Sequence, residues 1–229
     1  MTALRAVIFD VDGTLVDSER DGHRVAFNAA FAEAGLPDRW EVEEYGQLLK
    51  VAGGAQRLAF WFEQRGRPVE EARALAHQLH RTKTRVMRQM AADGQIRARP
   101  GARELIERLR SHGVRLHVAT TGTRAWVEPL LKHAFGEPFD TVTTGTEVPV
   151  LKPSPAVYLD VLIQTGLSPD QAVAVEDSSN GVRSAVAAGL RCVAAQNAYT
   201  RTDDLSAAVL VADGLDDPEL VTWFDDHLA

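Results

Sequence analysis

Two pairs of acidic residues attract attention because each follows a short apolar run. Asp10 and Asp12 come directly after residues 4–9, and Glu176 and Asp177 end a similar run. Two acids this close repel each other unless a cation lies between them or one of them holds a proton. Carboxylate oxygens are also hard ligands that suit magnesium. Metal-assisted phosphoryl chemistry would use both properties, although an acidic turn and a capped helix start are the simpler alternatives.

Two further motifs could bind phosphate. Thr120, Thr121 and Gly122 follow an apolar run, where a hydroxyl and backbone N–H groups form a cradle for an anion. Lys152 is followed by Pro153 and Pro155, which restrain the local backbone, and its ammonium could neutralise a phosphoryl oxygen. Each motif alone also fits an ordinary loop or a solvated surface lysine.

Regular alternation of strands and helices must position these residues. Apolar runs predict strands near 4–9, 115–119, 139–143, 171–175, 191–194 and 208–211. Helical patterns separate most of them, for example at 100–113, 155–164 and 179–188. This alternation predicts an α/β fold with a parallel sheet and helices on both faces. In such a sheet, ligands bind at the carboxyl ends of the strands, where the motifs lie.

Residues of roughly 17 to 94 break the alternation. Phe27, Ala30, Phe31 and Ala34 lie at helical spacing, and further helical patterns follow without a convincing strand. We interpret this stretch as an all-helical insertion after the first strand. The predicted domains are a core, residues 1–16 and 95–229, and a helical insertion, residues 17–94.

Composition narrows the classes of protein that the chain can represent. The 32 acidic and 25 basic residues give a formal net charge of -7, which argues against a nucleic-acid-binding surface. Cys192 is the single cysteine, so no internal disulfide can form. The first residues contain no long apolar signal segment, and no run approaches the roughly 18 apolar residues of a membrane span. We therefore expect a cytoplasmic protein with no membrane and no nucleic-acid partner.

Taken in order, the four motifs resemble those of the haloacid dehalogenase superfamily. The resemblance extends over essentially the whole chain, and the helical insertion lies where a type 1 cap domain would be. It implies a Rossmannoid core and an Mg²⁺-dependent phosphatase that forms an aspartyl phosphate. Asp10 matches the nucleophile, and Asp12 matches the general acid/base. An acid at position 12 is absent from the dehalogenase branch, which favours phosphoryl transfer.

The same resemblance implies roles for the remaining site residues of the core. Thr120 and Lys152 match the phosphate-binding positions. Asp177, Glu176 and Asp10 match the magnesium ligands, together with the backbone carbonyl of Asp12.

The insertion resembles a particular subgroup, the CbbY-type phosphatases, which are similar to β-phosphoglucomutase and act on xylulose 1,5-bisphosphate. The stretches that carry this resemblance are 17–24, 44–50 and 53–57. It implies that Glu19, His23, Tyr45 and Arg57 contact the sugar or its second phosphate. Ala55 is a departure, because the subgroup usually has a lysine there, and Lys50 is a basic residue that could compensate.

The leading hypothesis is a phosphatase for a small sugar phosphate or bisphosphate, acting as a monomer on xylulose 1,5-bisphosphate. A β-phosphoglucomutase-type phosphotransferase and a phosphoglycolate phosphatase are alternatives with the same fold. From a different class, the chain could be a catalytically silent sugar-phosphate-binding protein. The intact residues Asp10, Asp12, Lys152 and Asp177 argue against that last alternative.

Overall fold

The computed structural model describes residues 4–51 and 53–228. The chain divides into two compact units, of which one comprises Met1–Asp17 with Arg97–Ala229 and the other Ser18–Ile96. The domains predicted from the sequence, a core of residues 1–16 and 95–229 and an insertion of residues 17–94, stay a prediction. No helix among the described residues is both long enough and apolar enough to cross a membrane.

All the regular secondary structure in the described part of the smaller unit is helical. A wide helical turn, Glu19–His23, leads directly into α1. The helices are α1 (Arg24–Glu33), α2 (Val42–Leu48), α3 (Gly54–Glu63) and α4 (Val69–Ala92). Their shared core is aromatic, with the Trp40 ring centroid 4.8 Å from that of Phe27 and 5.0 Å from that of Phe31. Buried aromatic rings of this size contribute much of the apolar area that holds a small unit together.

Six strands form one sheet in the larger unit, in the order β3-β2-β1-β4-β5-β6. They are β1 (Ala6–Phe9), β2 (Arg115–Ala119), β3 (Thr141–Thr143), β4 (Ala172–Glu176), β5 (Arg191–Ala195) and β6 (Leu210–Ala212). Every neighbouring pair is parallel. The helices are α5 (Ala102–Ser111), α6 (Arg124–Phe135), α7 (Ala156–Thr165), α8 (Ser179–Ala187) and α9 (Pro218–Leu228). The predicted α/β fold with a parallel sheet is confirmed.

The strand order places β1 beside β4 at the centre of the sheet. The chain moves outward from β1 through β2 to β3, then crosses back to β4 and moves outward the other way. Because crossovers between parallel strands are almost always right-handed, this reversal distributes the connecting helices over both faces. The crevice at the carboxyl ends of β1 and β4 is therefore the place where a doubly wound sheet binds ligands.

Burial of β1 is consistent with a sheet covered on both sides. Ala6 and Ile8 pack in a cluster with the apolar residues of α7 and α8. Val7 and Phe9 point to the opposite face, since side chains alternate along a strand, and they are also fully buried. A strand that is apolar on both faces is typical of a central parallel strand.

The edge strand β3 is shorter than the predicted run of 139–143. Asp140 delays the start of the strand, since its carboxylate accepts a hydrogen bond from the backbone N–H of Leu116 at 2.9 Å. The Asp140 backbone N–H in turn donates to the Leu116 carbonyl at 2.7 Å. A side chain thus replaces one bond of the ladder, and the regular strand begins only at Thr141.

His117 is an exception in the core, because it is a buried histidine in β2 with 1% exposure. Neither ring nitrogen has a hydrogen-bond partner among the described residues. Burial lowers the pKa of His117, with Arg115 adding to the effect and Asp140 opposing it. The imidazole is therefore held neutral, at the expense of two unsatisfied polar atoms.

Acid should destabilise the protein through His117. Since its pKa is lower in the folded state, the unfolded chain binds more protons below about pH 6.5, and stability falls as the pH decreases from there. We expect His117→Leu to show a smaller loss of unfolding free energy between pH 7 and pH 5 in urea titrations. The exposed His112→Leu variant is the control, and an equal pH dependence in the wild type and His117→Leu would contradict this prediction.

Candidate active site

Three buried carboxylates converge at the carboxyl ends of β1 and β4. Asp10 follows the last residue of β1, Glu176 ends β4 and Asp177 follows it. One oxygen from each lies within 4.8 Å of those of the other two. The strand register pairs Phe9 with Val175, which brings the two strand ends side by side. The acidic cluster is therefore a product of sheet pairing.

Lys152 completes this cluster. Its Nζ is 2.6 Å from Oδ1 of Asp10 and 2.6 Å from Oε1 of Glu176, and it donates to the carbonyl of Ala119 at 2.8 Å. The side chain is only 6% exposed. An ammonium has three donor protons, and these three acceptors match them. Lys152 is thus fixed in position beside the acids of two strands.

The electrostatics of the cluster favour a bound cation. Burial raises the pKa of Asp10 to about 8, with Glu176 and Asp12 adding to it and Lys152 opposing it. Burial, followed by repulsion from Asp10 and Glu176, also raises the pKa of Asp177 well above its ordinary range. Converging oxygen donors that repel one another are the ligand set that Mg²⁺ prefers. These residues therefore fit a magnesium ion.

Two residues fix the position of the Glu176 carboxylate, and the sequence analysis identified neither of them. The hydroxyl of Tyr158 donates to Oε1 of Glu176 at 2.6 Å, and the tyrosine is fully buried on α7. A Cβ on Gly181 would overlap the Glu176 carboxylate, so the first turn of α8 must have a glycine there. Ser178 caps the same helix by accepting a hydrogen bond from the Gly181 backbone N–H at 3.2 Å. A tyrosine on the buried stripe of α7 is the signal that could have identified Tyr158.

The loop after β2 is shaped by Thr120 and Gly122. Thr120 is fully buried, and its Oγ1 accepts a hydrogen bond from the backbone N–H of Gly122 at 3.0 Å. A side chain at Gly122 would overlap the ring of Trp126, so this position requires glycine. Thr121, between Thr120 and Gly122, is exposed. The loop is therefore tightly wound and has a hydroxyl at its centre.

Asp12 lies in the turn that follows β1 and is half-buried. The turn closes when the carbonyl of Val11 accepts hydrogen bonds from the backbone N–H groups of Leu15 and Val16, at 3.0 and 3.1 Å. Gly13 has a φ of +83°, which residues with a side chain rarely adopt. Asp12 is therefore held on a compact turn directly after Asp10.

In the smaller unit, three of the four predicted sugar-contacting residues form a hydrogen-bonded chain. Tyr45 donates its hydroxyl proton to Oε2 of Glu19 at 2.6 Å, and Nη1 of Arg57 donates to the Tyr45 hydroxyl oxygen at 2.9 Å. Nε of Arg57 is bound to the carbonyl of Leu48 at 3.0 Å. His23 is buried at the end of the helical turn before α1. The guanidinium is thus held by two groups of α2, the Tyr45 hydroxyl and the Leu48 carbonyl.

Residues 4–189 match the family model of haloacid dehalogenase-like hydrolases. The chain belongs to this family. It is 44% identical over 209 residues to protein CbbY of Rhodobacter capsulatus, a match that covers 90% of this chain and 91% of the relative. The crystal structure of CbbY from Rhodobacter sphaeroides in complex with phosphate is 38% identical, covers 93% of this chain and 95% of that chain, and has a TM-score of 0.79. A variant of that protein in complex with xylulose-(1,5)bisphosphate has the same identity and coverage, with a TM-score of 0.78.

These similarities confirm that the chain is a CbbY-type haloacid dehalogenase-like hydrolase and a phosphatase. The roles of individual residues stay predictions, as does the predicted monomer. The structure brings the predicted core residues Asp10, Lys152, Glu176 and Asp177 into one cluster. It joins Glu19, Tyr45 and Arg57 into another.

Sequence reasoning also missed a basic group on α4. Lys83 is buried, with its Nζ 5.1 Å from the ring centroid of Phe27. The pKa of the neighbouring His80 is lowered to about 4, first by burial and then by the charge of Lys83. Smaller contributions in the same direction come from His23, His77 and Arg57. A signal was present, because Lys83 lies on the buried stripe of α4 with Ala72, Ala76, Leu79, Met87 and Met90. A lysine on an otherwise apolar stripe is unusual, because lysine is almost never fully buried unless it is paired.

Proposed function

We propose that this chain is a magnesium-dependent sugar-phosphate phosphatase that converts xylulose 1,5-bisphosphate to xylulose 5-phosphate through an aspartyl phosphate on Asp10. The observation that carries the chemistry is the contact between Lys152 and Asp10 within a cluster of three buried carboxylates. A carboxylate of this kind can act as a nucleophile towards phosphorus when the surrounding charge is balanced.

In the first step, an Asp10 oxygen forms a bond to phosphorus, and the bond from phosphorus to the sugar oxygen breaks. Asp12 gives its proton to the leaving oxygen. In the second step, Asp12 takes a proton from a water molecule, whose oxygen attacks phosphorus as the bond to Asp10 breaks. Inorganic phosphate leaves, and both carboxylates return to their first state.

Three other groups support these steps. Asp10, Glu176, Asp177 and the Asp12 carbonyl would hold Mg²⁺, which supplies positive charge that offsets the phosphoryl oxygens and the acids. Lys152 keeps Asp10 oriented and offers its own charge to the phosphoryl group. The Thr120 hydroxyl would donate to a phosphoryl oxygen, as would the backbone N–H of Thr121. The Gly122 N–H, which donates to Thr120 Oγ1 at 3.0 Å, would support the same cradle by holding that hydroxyl in place.

The smaller unit is proposed to select the sugar. Glu19 would accept hydrogen bonds from sugar hydroxyls, and His23 and Tyr45 would contact the sugar beside it. Arg57 would bind the second phosphate, for which a planar guanidinium is well suited. Support comes from the CbbY of Rhodobacter sphaeroides, which has been crystallised with xylulose-(1,5)bisphosphate. Because Ala55 offers no cation, the second phosphate would depend more heavily on Arg57.

Phosphate release from a panel of sugar phosphates, with Mg²⁺ and with a chelator, tests the proposal. The panel contains xylulose 1,5-bisphosphate, β-glucose 1-phosphate and phosphoglycolate. A magnesium-dependent preference for the bisphosphate supports the whole proposal. Two results would contradict xylulose 1,5-bisphosphate as the substrate: a preference for phosphoglycolate, or isomerisation of β-glucose 1-phosphate without phosphate release. Neither would affect the assignment of the chain to its family. Full activity in the presence of the chelator would contradict the proposed requirement for Mg²⁺.

Arg57→Ala should weaken binding of the bisphosphate selectively. Hydrogen bonds to a charged group contribute about 1.5–3 kcal/mol, so KM for xylulose 1,5-bisphosphate should rise roughly 10- to 100-fold. KM for a small generic phosphate ester should change little, because that substrate has no second phosphate. Steady-state kinetics on both substrates measure the difference.

Arg67→Ala is the matched control. Arg67 is exposed, and its guanidinium carbon is 5.4 Å from the ring centroid of Phe62, so it has an aromatic contact similar to that of Arg57 with Tyr45 at 5.2 Å. Its removal should leave both KM values unchanged. Equal increases for both substrates in Arg57→Ala would exclude Arg57 from the second-phosphate site.

A further inference from the structure

Asn197 connects three loops at the edge of the candidate active site. It lies two residues after β5, and its Nδ2 donates to Oδ2 of Asp177 at 2.6 Å and to the carbonyl of Gly13 at 3.1 Å. Its Oδ1 accepts a hydrogen bond from the backbone N–H of Tyr199 at 2.8 Å. The Asn197 backbone N–H donates to Oγ1 of Thr200 at 3.0 Å. One side chain therefore joins the ends of β1, β4 and β5.

The partners of Asn197 define the orientation of its amide. The NH₂ group faces two acceptors, a carboxylate oxygen and a carbonyl oxygen, whereas the amide oxygen faces a backbone N–H. Rotation of the amide by half a turn would replace all three bonds with repulsive contacts. The side chain is thus an oriented donor to Asp177.

A second residue holds the same carbonyl from another direction. Arg99 donates to the carbonyls of Gly13, Ala195 and Gln196, the last two at 3.3 and 2.5 Å. These acceptors belong to the turn after β1 and to the end of β5, the two segments that Asn197 also joins. A Cβ on Gly13 would overlap both the Asp177 carboxylate and the Asn197 amide, so the three groups are in close contact.

We propose that Asn197 is a positioning residue for the metal site, which sets Mg²⁺ affinity by holding the Asp177 carboxylate and the turn of Asp12 and Gly13 in place. The inference rests on the proposed function, in which Asp177 and the Asp12 carbonyl are magnesium ligands. Without Asn197, the Asp177 carboxylate would still accept the long hydrogen bond from the Thr14 hydroxyl at 3.4 Å, but that bond alone restrains its rotation less. The turn at Gly13 would also be freer to move. Magnesium would then have to order both as it binds, which lowers its affinity.

Asn197→Ala tests this assignment by direct binding. Loss of a partner that orients a metal ligand typically weakens metal binding 10- to 100-fold, and we expect at least about tenfold here. Isothermal titration of Mg²⁺ into the full chain, without substrate, measures the dissociation constant independently of turnover. Because Asn197 contacts neither the nucleophile nor the phosphate loop, kcat should recover towards the wild-type value at saturating Mg²⁺.

Thr200→Val is the matched control. It removes the hydroxyl that anchors the same loop, yet leaves the bond from Asn197 to Asp177 in place. We expect its Mg²⁺ dissociation constant to stay within about twofold of the wild type, since no group that orients a metal ligand is removed. An equal loss in both variants would overturn the inference, because loop packing would then be sufficient to explain it.

The remaining outcomes separate this inference from the proposed function. If the wild type binds no Mg²⁺, the metal site of the proposed function fails. If the wild type binds Mg²⁺ and Asn197→Ala binds it equally well, only the role of Asn197 fails. Melting temperatures without Mg²⁺ verify the fold. If Asn197→Ala does not fold, Asn197→Gln, which displaces the same amide by one methylene, undergoes the same titration and must show the same weakening.

Discussion

Asp10→Asn is expected to lower phosphate release by roughly a thousandfold or more, because it removes the nucleophile while keeping the shape of the side chain. The amide oxygen can still accept the hydrogen bond that Lys152 gives to Asp10 at 2.6 Å. The local geometry should therefore survive, and the loss should appear in kcat. In the wild type, a rapid acid quench during turnover should trap one phosphoryl group on the chain, and the variant should trap none.

The same substitution should not destabilise the metal-free protein. Burial, opposed by Lys152 and reinforced by Glu176 and Asp12, raises the pKa of Asp10 from 3.8 to about 8. Between these two values the folded state binds the proton and the unfolded state does not, so stability falls as the pH rises through this window. An asparagine has no such titration. At pH 8 without Mg²⁺, Asp10→Asn should melt at the wild-type temperature or above it.

Asp226→Asn is the control for this prediction, since Asp226 is exposed on α9. It should change neither turnover nor the pH dependence of melting. Near-normal phosphate release by Asp10→Asn would refute the covalent mechanism. A variant that is inactive and also unfolded would be uninformative, so the melting curves belong to the same experiment.

Lys152→Met should affect both stability and activity. Burial disfavours the ammonium, but Asp10 and Glu176 outweigh it and raise the pKa of Lys152 above its ordinary value. Loss of one partner from a buried ion pair typically destabilises a protein by about 3–5 kcal/mol, because the other charge stays buried without compensation. Activity should fall by on the order of a hundredfold or more, as is usual when a group that stabilises transition-state charge is removed.

The pH dependence identifies the cause of the lost stability. Without the ammonium, the pKa of Asp10 should rise further above the value of about 8 that it has beside Lys152. The variant would then keep losing stability at a pH where the wild type no longer does, so the destabilisation should be smaller at pH 7 than at pH 9. Urea titrations of the metal-free protein at both pH values measure this. Lys132→Met is the control, because Lys132 forms an exposed ion pair with Glu137 at 3.1 Å, and such pairs contribute about 0–1 kcal/mol. A pH-independent loss in Lys152→Met would indicate poor packing of methionine instead.

Much of the fold could be predicted because its signals are local. An apolar run that stops at Asp10 is a strand by periodicity, and the helix between Gly101 and Gly113 is delimited by glycines with positive φ at both ends. Ser178 caps α8 through the backbone N–H of Gly181, three residues further along the chain. Such features depend on residues within a few positions of one another, which a single sequence displays directly.

The burial of basic residues in the smaller unit was harder to predict. Sequence reasoning chose Lys50 as the residue that could replace the cation missing at Ala55, because it is nearby in the chain. In the structure Lys50 is exposed and bonded to Gln47 at 3.2 Å, whereas Lys83 is buried beside Phe27. The compensating role of Lys50 stays a prediction, whereas the packing of α4 against α1 determines that Lys83 is enclosed.

The sequence by itself determined the identity and order of the chemical groups, which is why the family could be recognised from four short motifs. Only the tertiary structure decided how they are held: Lys152 reaches Asp10 across 142 residues, and Asn197 reaches Gly13 across 184. Tyr158, Arg99 and Asn197 form no motif, since each makes its contact through the pairing of distant strands and loops. Periodicity and capping are local properties of a chain, whereas the register of a parallel sheet is a property of the whole fold.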